Sequence, residues 1–215
     1  DGTLIDSGGA GTRALTVSFQ ELFSIDNAFD GIKMAGKTDL QIVSEACEVH
    51  GINFDDDLMG KVERRYIELL KIEIRNSDKK LKPGVKKSLE ALEARNDCVL
   101  GILTGNIEMG ARIKLSSMGI HDHFKVGAYG SDNKDRNSLL PIAVRKYSDI
   151  SGIDVPFENC VVIGDTPRDV ECSKPYGAKC IAVATGPYSF EDLSETEADI
   201  VLEDLKGVDE YVCSM

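Results

Sequence analysis

The first third of the chain carries apolar residues at the spacing of amphipathic helices. Between about residues 10 and 75 they recur three and four positions apart, so that they share one side of a helix. The recurring sets are Leu15, Phe19, Leu22 and Phe23; Leu40, Ile42, Val43 and Ala46; and Leu58, Val62, Tyr66, Leu69 and Leu70. Glycines and the acidic run Asp55–Asp57 separate these sets, and acidic residues favour a helix N-terminus. The pattern predicts an all-helical domain over residues 10–81.

The rest of the chain changes to short apolar runs separated by helical stretches. These runs are Cys98–Leu103, Phe124–Ala128, Cys160–Ile163, Lys179–Ala184 and Ala198–Leu202. Continuous apolar runs of this length are typical of strands that are covered on both faces. Strands that alternate with helices predict a parallel sheet with helices on both sides. We therefore predict an α/β core domain formed by residues 1–9 and 82–215, interrupted by the helical domain.

Polar residues suited to ligand binding follow two of the predicted strands. The turn Thr104–Asn106 offers a hydroxyl and the unpaired N–H groups of a helix N-terminus, which together suit a phosphate. The turn Gly164–Asp169 carries two carboxylates, Asp165 and Asp169, of the kind that Mg²⁺ prefers. Because ligands gather at the carboxyl ends of parallel strands, both turns belong at one edge of the sheet. From the residues alone, each turn also fits an ordinary capped helix start.

Composition and charge narrow the classes of function. With 42% hydrophobic and 29% charged residues among 215, the chain has the composition of a soluble globular protein. No apolar run approaches the roughly 20 residues that a membrane-spanning helix needs. The formal net charge of −12 argues against non-specific nucleic-acid binding, which requires a basic surface. The six cysteines form no C-x-x-C pair, which favours buried, reduced thiols in a cytoplasmic protein.

Three segments form an ordered set along the chain. They are Asp1-Gly2-Thr3-Leu4-Ile5-Asp6-Ser7, Ile102-Leu103-Thr104-Gly105-Asn106 and Val161-Val162-Ile163-Gly164-Asp165-Thr166-Pro167-Arg168-Asp169. The set resembles the first, second and fourth motifs of the haloacid dehalogenase superfamily of phosphohydrolases, in particular its phosphoglycolate phosphatase-like members. The first motif, Asp-x-Asp-Gly-Thr-Leu, lacks its leading Asp and the residue after it. The resemblance implies a Rossmann-like three-layer core with a parallel sheet and an all-helical cap.

The third motif of the superfamily supplies a basic residue ahead of the helix that precedes the fourth motif. Lys134 and Arg136 both lie in this region. The spacing from Arg136 to the helix that carries Leu139 matches the motif better, so Arg136 is favoured and Lys134 is the alternative.

The resemblance also implies the roles of the site residues in a Mg²⁺-dependent phosphatase with an aspartyl-phosphate intermediate. Asp1 takes the place of the general acid, and its backbone carbonyl faces the metal. Asp165 is implied as a direct Mg²⁺ ligand, and Asp169 as a direct or water-mediated one. The residues implied for phosphate binding are Thr104, Gly105, Asn106 and either Arg136 or Lys134.

The attacking Asp of the superfamily would precede Asp1, on a strand in the middle of the sheet. A sheet without its middle strand exposes unpaired backbone on both neighbours. We therefore expect the natural protein to extend upstream by about 5–8 residues or more, the length of one strand.

The helical domain resembles the cap that closes over small phosphoesters in this superfamily. Arg13, Lys37, Thr38 and Asp39 are candidates for substrate contact, although each also fits an ordinary surface or capping role. The expected partner is a small phosphorylated molecule, such as phosphoglycolate or a sugar phosphate, and neither nucleic acid nor membrane. The oligomeric state is left open.

Several alternative functions share these residues. Phosphoglucomutase-like phosphoryl transfer uses the same core residues as hydrolysis. Dehalogenase chemistry is disfavoured because it needs neither Asp1 nor Asp165, and phosphonate cleavage would need a cap lysine, for which Lys37 is the candidate. If the nucleophile is truly absent, the alternative is a function of another class, that of a non-catalytic binding protein.

Overall fold

The structure, a computed structural model, describes residues 1–215 as nine α-helices and seven short strands. Helices α1 to α9 span Ala10–Phe23, Asp39–Val49, Asp56–Glu73, Val85–Glu93, Glu108–Ser116, Leu139–Ser151, Pro167–Ser173, Phe190–Ser194 and Val208–Ser214. Strands β1 to β7 span Ile5–Asp6, Lys80–Leu81, Gly101–Thr104, Val126–Tyr129, Val161–Gly164, Lys179–Val183 and Ile200–Leu202. No helix combines the length and the apolar composition that crossing a bilayer requires.

Helices α1, α2 and α3 share a hydrophobic core of their own. At its centre lies Phe19, which is fully buried and meets Phe23 and Phe29 edge-on, with ring centroids 5.0 and 4.7 Å away. Helices α2 and α3 begin at polar caps, because the side chains of Thr38 and Asp55 each accept a hydrogen bond from the backbone N–H three residues later. Such caps contribute about 1 kcal/mol each. As the apolar spacing predicts, this part of the chain holds helices and no strand.

The two chain connections to this helical unit pair with each other. Strand β1 lies antiparallel to β2, with Ile5 opposite Leu81. The Asn76 side-chain amide donates to the backbone oxygen of Ser7 at 3.0 Å and fastens the connections further. Nothing in the apolar pattern predicts this two-stranded pairing, because each strand is only two residues long.

The remaining strands are parallel and covered on both faces, which confirms the predicted α/β class. Strand β3 pairs with β4, and β5, β6 and β7 form a second group. Ile102 and Ile181, one from each group, share a hydrophobic cluster with α4, α5 and α9 on one face. On the other face Leu103 and Val162 pack with residues of α6. Apolar residues therefore alternate between two helical layers, as expected for a sheet buried on both sides.

A gap separates the two groups of strands. Strands β3 and β5 form no ladder with each other, although they share hydrophobic clusters above and below the sheet. A cavity of about 1300 Å³ runs between them and is lined by residues 100–104 of one side and 160–163 of the other. Pockets for small ligands are typically about 300–1,000 Å³, so this cavity is larger than a small ligand requires.

The strand bounds differ from the predicted runs because ladder pairing, and not apolar character, defines them. The run predicted from Cys98 becomes a strand only at Gly101, where pairing with Val126 begins, and it continues to Thr104. The last run is likewise reduced to Ile200–Leu202.

Candidate active site

The predicted site residues of the core gather at the carboxyl ends of β3 and β5. Thr104 ends β3, whereas Asp165 follows β5 directly. Asp1, Arg136 and Asp169 line the same cavity as these two residues. These five predicted site residues therefore line one cavity. They can meet there because crossovers return every strand in the same direction, so that all strands end at one edge of the sheet.

Asp165 is a buried carboxylate held by backbone and a hydroxyl. It is 5% exposed, and its Oδ1 accepts a hydrogen bond from Thr3 Oγ1 at 2.5 Å. A Cβ added at Gly2 or Gly186 would lie 2.2 or 1.8 Å from its Oδ2, so both positions require glycine. Burial raises the pKa of the Asp165 carboxyl, and the nearby Asp169 charge acts in the same direction. The contact from Thr3 was not foreseen, because 162 positions of sequence separate the two residues.

Asp169 uses both carboxylate oxygens within the protein. Its Oδ1 accepts from Arg136 Nη2 at 2.5 Å, and its Oδ2 accepts from the backbone N–H and the hydroxyl of Thr166 at 3.0 and 2.9 Å. The second contact is a capping interaction that begins α7, with Pro167 in the first turn. The turn is thus a capped helix start, and its residues Asp165, Thr166 and Asp169 also line the cavity.

Arg136 is a buried cation with donor capacity to spare. Its side chain is 10% exposed and pairs with Asp169. Burial alone would lower the pKa of its guanidinium, but the Asp169 carboxylate raises that pKa above its ordinary value, so the charge is kept. Its Nε is buried without a hydrogen-bond partner. A buried, unpaired donor is costly, and an anion in the cavity would satisfy it.

The turn after β3 is tied to neighbouring groups. Asn106 N donates to Thr104 Oγ1 at 3.2 Å, and the first N–H groups of the following helix go to Asp39 Oδ2 and Ser131 Oγ. The N-terminus of α5 is therefore already occupied by a carboxylate of the helical unit, whereas the Thr104 hydroxyl accepts a hydrogen bond from Asn106 N and lines the cavity.

The Asp1 carboxylate is held by a buried lysine that the sequence did not single out. Lys114 Nζ donates to Asp1 Oδ2 at 2.6 Å and to Asn106 Oδ1 at 2.8 Å, while Ser7 N donates to Asp1 Oδ1 at 3.0 Å. The Lys114 side chain is only 4% exposed. One signal was available, since Lys114 falls three and four positions after Ala111 and Gly110, on the buried side of α5.

Replacing Lys114 tests how much this ion pair contributes to the free energy of unfolding. Lys114→Met is expected to lower the free energy of unfolding by about 2 kcal/mol, because the Asp1 carboxylate and the Asn106 amide oxygen lose their donor. Urea denaturation measures the change. Lys86→Met is the control, since Lys86 is exposed and lies 4.0 Å from its partner Glu90. Equal effects of the two substitutions would contradict a structural role for the Lys114–Asp1 pair.

Of three other predicted residues, two lie outside the cavity and the third lines it but is paired. Arg13 pairs with Glu73 at 2.6 Å, is 46% exposed and does not line the cavity. Lys134 donates to Ser44 Oγ on α2 and is also outside the cavity. Lys37 lines the cavity, but its ammonium pairs with Glu45. The structure therefore brings Arg136 to the site and turns Lys134 toward the helical unit.

Comparisons with known proteins identify the family and the fold. The sequence model of the family described as haloacid dehalogenase-like hydrolase matches residues 1–183. The phosphoglycolate phosphatase of Rhodospirillum rubrum is 27% identical over 220 residues, covering 99% of this chain and 88% of that protein. The structure of CbbY from Rhodobacter sphaeroides in complex with phosphate has a TM-score of 0.76 at 18% identity, covering 97% of this chain and 92% of that one. CbbY in complex with xylulose-(1,5)bisphosphate gives the same TM-score and identity over 96% and 92%.

The family match spans most of the chain and includes all three segments from which the resemblance was drawn. The solved structures share the fold over nearly the whole length. The chain therefore belongs to the haloacid dehalogenase-like hydrolase family, and within it the chain is similar to phosphatases.

Proposed function

We propose that this protein is a Mg²⁺-dependent phosphatase that hydrolyses a small phosphomonoester through an aspartyl-phosphate intermediate. One observation carries the proposal: the same cavity holds the hydroxyl of Thr104, the buried cation Arg136 and the buried carboxylate Asp165. A phosphoryl group needs hydrogen-bond donors and positive charge around its oxygens, and catalysis of its transfer is mainly positioning and electrostatic stabilisation.

The cavity between β3 and β5 supports the proposed source of the nucleophile. The apolar residues that line it belong alternately to the two hydrophobic layers, as the neighbours of a strand do. Asp1, Thr104 and Asp165 also line it. An extended segment joined before Asp1 would pair with both strands and end at the site. An Asp two positions before Asp1, on that segment, is the nucleophile we propose.

The chemistry then proceeds in two balanced displacements. The nucleophile's carboxylate oxygen forms a bond to phosphorus as the bond from phosphorus to the alcohol oxygen breaks, and Asp1 gives a proton to that oxygen. Water next attacks the aspartyl-phosphate, Asp1 takes a proton from the water, and the free carboxylate and inorganic phosphate are released. Lys114 holds the Asp1 side chain at 2.6 Å and so fixes its position, and its positive charge favours the ionised form of Asp1 that takes the proton from water.

Magnesium fits the donors on the Asp165 side of the cavity. Asp165 is buried, forms no ion pair, and sits in a cradle of glycine backbone that leaves its carboxylate accessible to the cavity. We propose the Asp165 carboxylate and the Asp1 carbonyl as ligands, with Asp169 acting through water because Arg136 and Thr166 already use its oxygens. Bound Mg²⁺ would offset the repulsion between the attacking carboxylate and the phosphate.

The basic residue that holds the phosphate is proposed to be Arg136 and not Lys134. Arg136→Met should lower kcat/KM by about 10²–10³-fold, as the loss of a preorganised charged donor does elsewhere. Lys134→Met should change kcat/KM by less than threefold, because Lys134 points to Ser44 on α2. Steady-state kinetics with p-nitrophenyl phosphate compares the two. A larger loss for Lys134→Met would reverse the assignment.

Residues 10–81 are proposed to act as the cap that encloses the leaving group. Tyr66 and Ile42 of this unit line the cavity together with Lys37. The enclosed space suits a small phosphoester, and the relatives named above point to phosphoglycolate and to sugar phosphates as the first candidates.

A substrate panel tests the proposed function. The chain with a strand supplied before Asp1 is expected to release inorganic phosphate from p-nitrophenyl phosphate and from 2-phosphoglycolate or a sugar phosphate, and EDTA should stop the release. Conversion of a hexose 1-phosphate to the 6-phosphate without net phosphate release would favour the mutase alternative. No Mg²⁺-dependent turnover of any phosphoester would overturn the proposal.

A further inference from the structure

A four-residue segment of the helical unit, Gly36–Asp39, lies directly against the site loops of the core. We refer to it as the strap. It leads into α2 and contacts the turns that follow β3 and β5. Thr38 within it is fully buried, and its hydroxyl donates to the backbone oxygen of Lys134 at 2.7 Å. The strap therefore touches core loops that also contribute to the site.

Asp39 makes a reciprocal pair of hydrogen bonds with the turn after β3. Its backbone N–H donates to Gly105 O at 2.7 Å, and its Oδ2 accepts from Ile107 N at 2.8 Å. Ile107 is the N-cap position of α5 and cannot cap the helix with its own side chain. A residue 68 positions earlier thus supplies the helix cap in its place.

The close approach of the strap is built into the core. A Cβ at Gly105 would lie 2.1 Å from the backbone oxygen of Lys37, so only glycine lets the two backbones meet. A Cβ at Gly36 would lie 2.9 Å from the hydroxyl of Thr166, in the turn that carries the metal-side carboxylates. The strap therefore lies close to both turns.

We propose that Asp39 is a positioning residue that couples the helical unit to the core: its two hydrogen bonds fix the turn Thr104–Ile107, which presents Thr104 to the phosphate. Without the Asp39 carboxylate, the Ile107 N–H loses its partner and the turn loses one of its two anchors. The consequence for catalysis rests on the proposed function, whereas the coupling itself does not.

Hydrogen exchange measures the coupling without any activity. Asp39→Ala is expected to speed exchange of the Ile107 amide by about tenfold, the usual consequence of losing a helix cap. Asp39→Asn keeps an acceptor oxygen and should leave the exchange near that of the parent. Asp55→Ala is the matched control, because it removes the cap of α3 in the same helical unit without touching the core. An unchanged Ile107 amide in Asp39→Ala, or equal acceleration in Asp55→Ala, would overturn the proposal.

Kinetics then separates positioning from general loss of structure. In the chain extended by a strand before Asp1, Asp39→Ala should lower kcat at least tenfold more than Asp55→Ala does. Asp39→Asn should retain most of the parent kcat. Equal kcat values for the two alanine variants would refute the effect on catalysis. If no variant and no parent hydrolyses any phosphoester, the proposed function fails, and the exchange experiment still decides whether Asp39 couples the two units.

Discussion

The chain with a strand joined directly before Asp1 is expected to be an active phosphatase, and the chain that begins at Asp1 is expected to release no phosphate above background. The extension would hold about five to seven β-branched or aromatic residues followed by Asp and one further residue, so that the new Asp lies two positions before Asp1. It should fill the cavity between β3 and β5 and bury several apolar side chains, each contributing about 1.5–3 kcal/mol before entropy is subtracted. Thermal unfolding and phosphate release measure the two effects.

The matched control is the same extension with Asn in place of the new Asp. It should raise the melting temperature as much as the Asp form does, because the strand pairs in the same way, yet it should release no phosphate above background. An extension that neither stabilises the chain nor restores activity would show that the cavity does not receive a strand. Equal activity of the Asp and Asn forms would show that the nucleophile lies elsewhere.

Asp165→Asn is expected to abolish phosphatase activity while leaving the fold at least as stable in buffer without Mg²⁺. The loss should exceed about a thousandfold, because the substitution removes the proposed carboxylate ligand of the metal. Stability should not fall, because burial raises the pKa of Asp165 and its ionised form is therefore unfavourable in the folded state. This penalty is absent below the pKa of the unfolded carboxyl and develops as the pH rises through the folded value. The free energy of unfolding of Asp165→Asn should therefore exceed that of the parent most at neutral and higher pH.

Magnesium provides a second readout of the same substitution. Adding Mg²⁺ should raise the melting temperature of the parent by mass action and should leave Asp165→Asn unchanged. Thr3→Val is the control, since it removes the hydroxyl that donates to Asp165 and keeps the carboxylate. A Mg²⁺-dependent shift that survives in Asp165→Asn would place the metal at other residues.

The fold class and much of the site follow from patterns that are local in sequence. Apolar runs end at Thr104 and just before Asp165, and parallel topology is enough to bring such ends together. The choice of Arg136 over Lys134 rested on spacing to α6, and the structure shows the reason for the difference. Arg136 lies in a 3-10 turn that leads into the helix and points inward to Asp169, whereas Lys134 lies outside that turn.

The contacts between distant parts of the chain could not be predicted in the same way. The sequence presents Lys114 as a surface residue unless its partner Asp1 is known to lie beside it, and it presents Asp39 as an acidic residue in the first turn of α2. The side chain of Asp39 bonds to a partner 68 positions away, and that of Lys114 bonds to one 113 positions away. Periodicity reports which side of a helix is buried, but it does not report what lies opposite. The division into residues 1–9 with 82–215 and residues 10–81 stays a prediction for the same reason.

The pairing of β1 with β2 has a consequence for how such proteins diversify. Ile5 lies opposite Leu81, so the chain leaves the parallel-stranded part and re-enters it at adjacent points. The stretch between these residues is joined to the rest of the chain covalently through this one stem. If the chain were cut at this stem, a short turn would rejoin the two ends. The stretch can therefore be lengthened, exchanged or lost without changing the path of the chain through the sheet. A change in the length or composition of this stretch is therefore compatible with an unchanged path of the chain through the parallel strands.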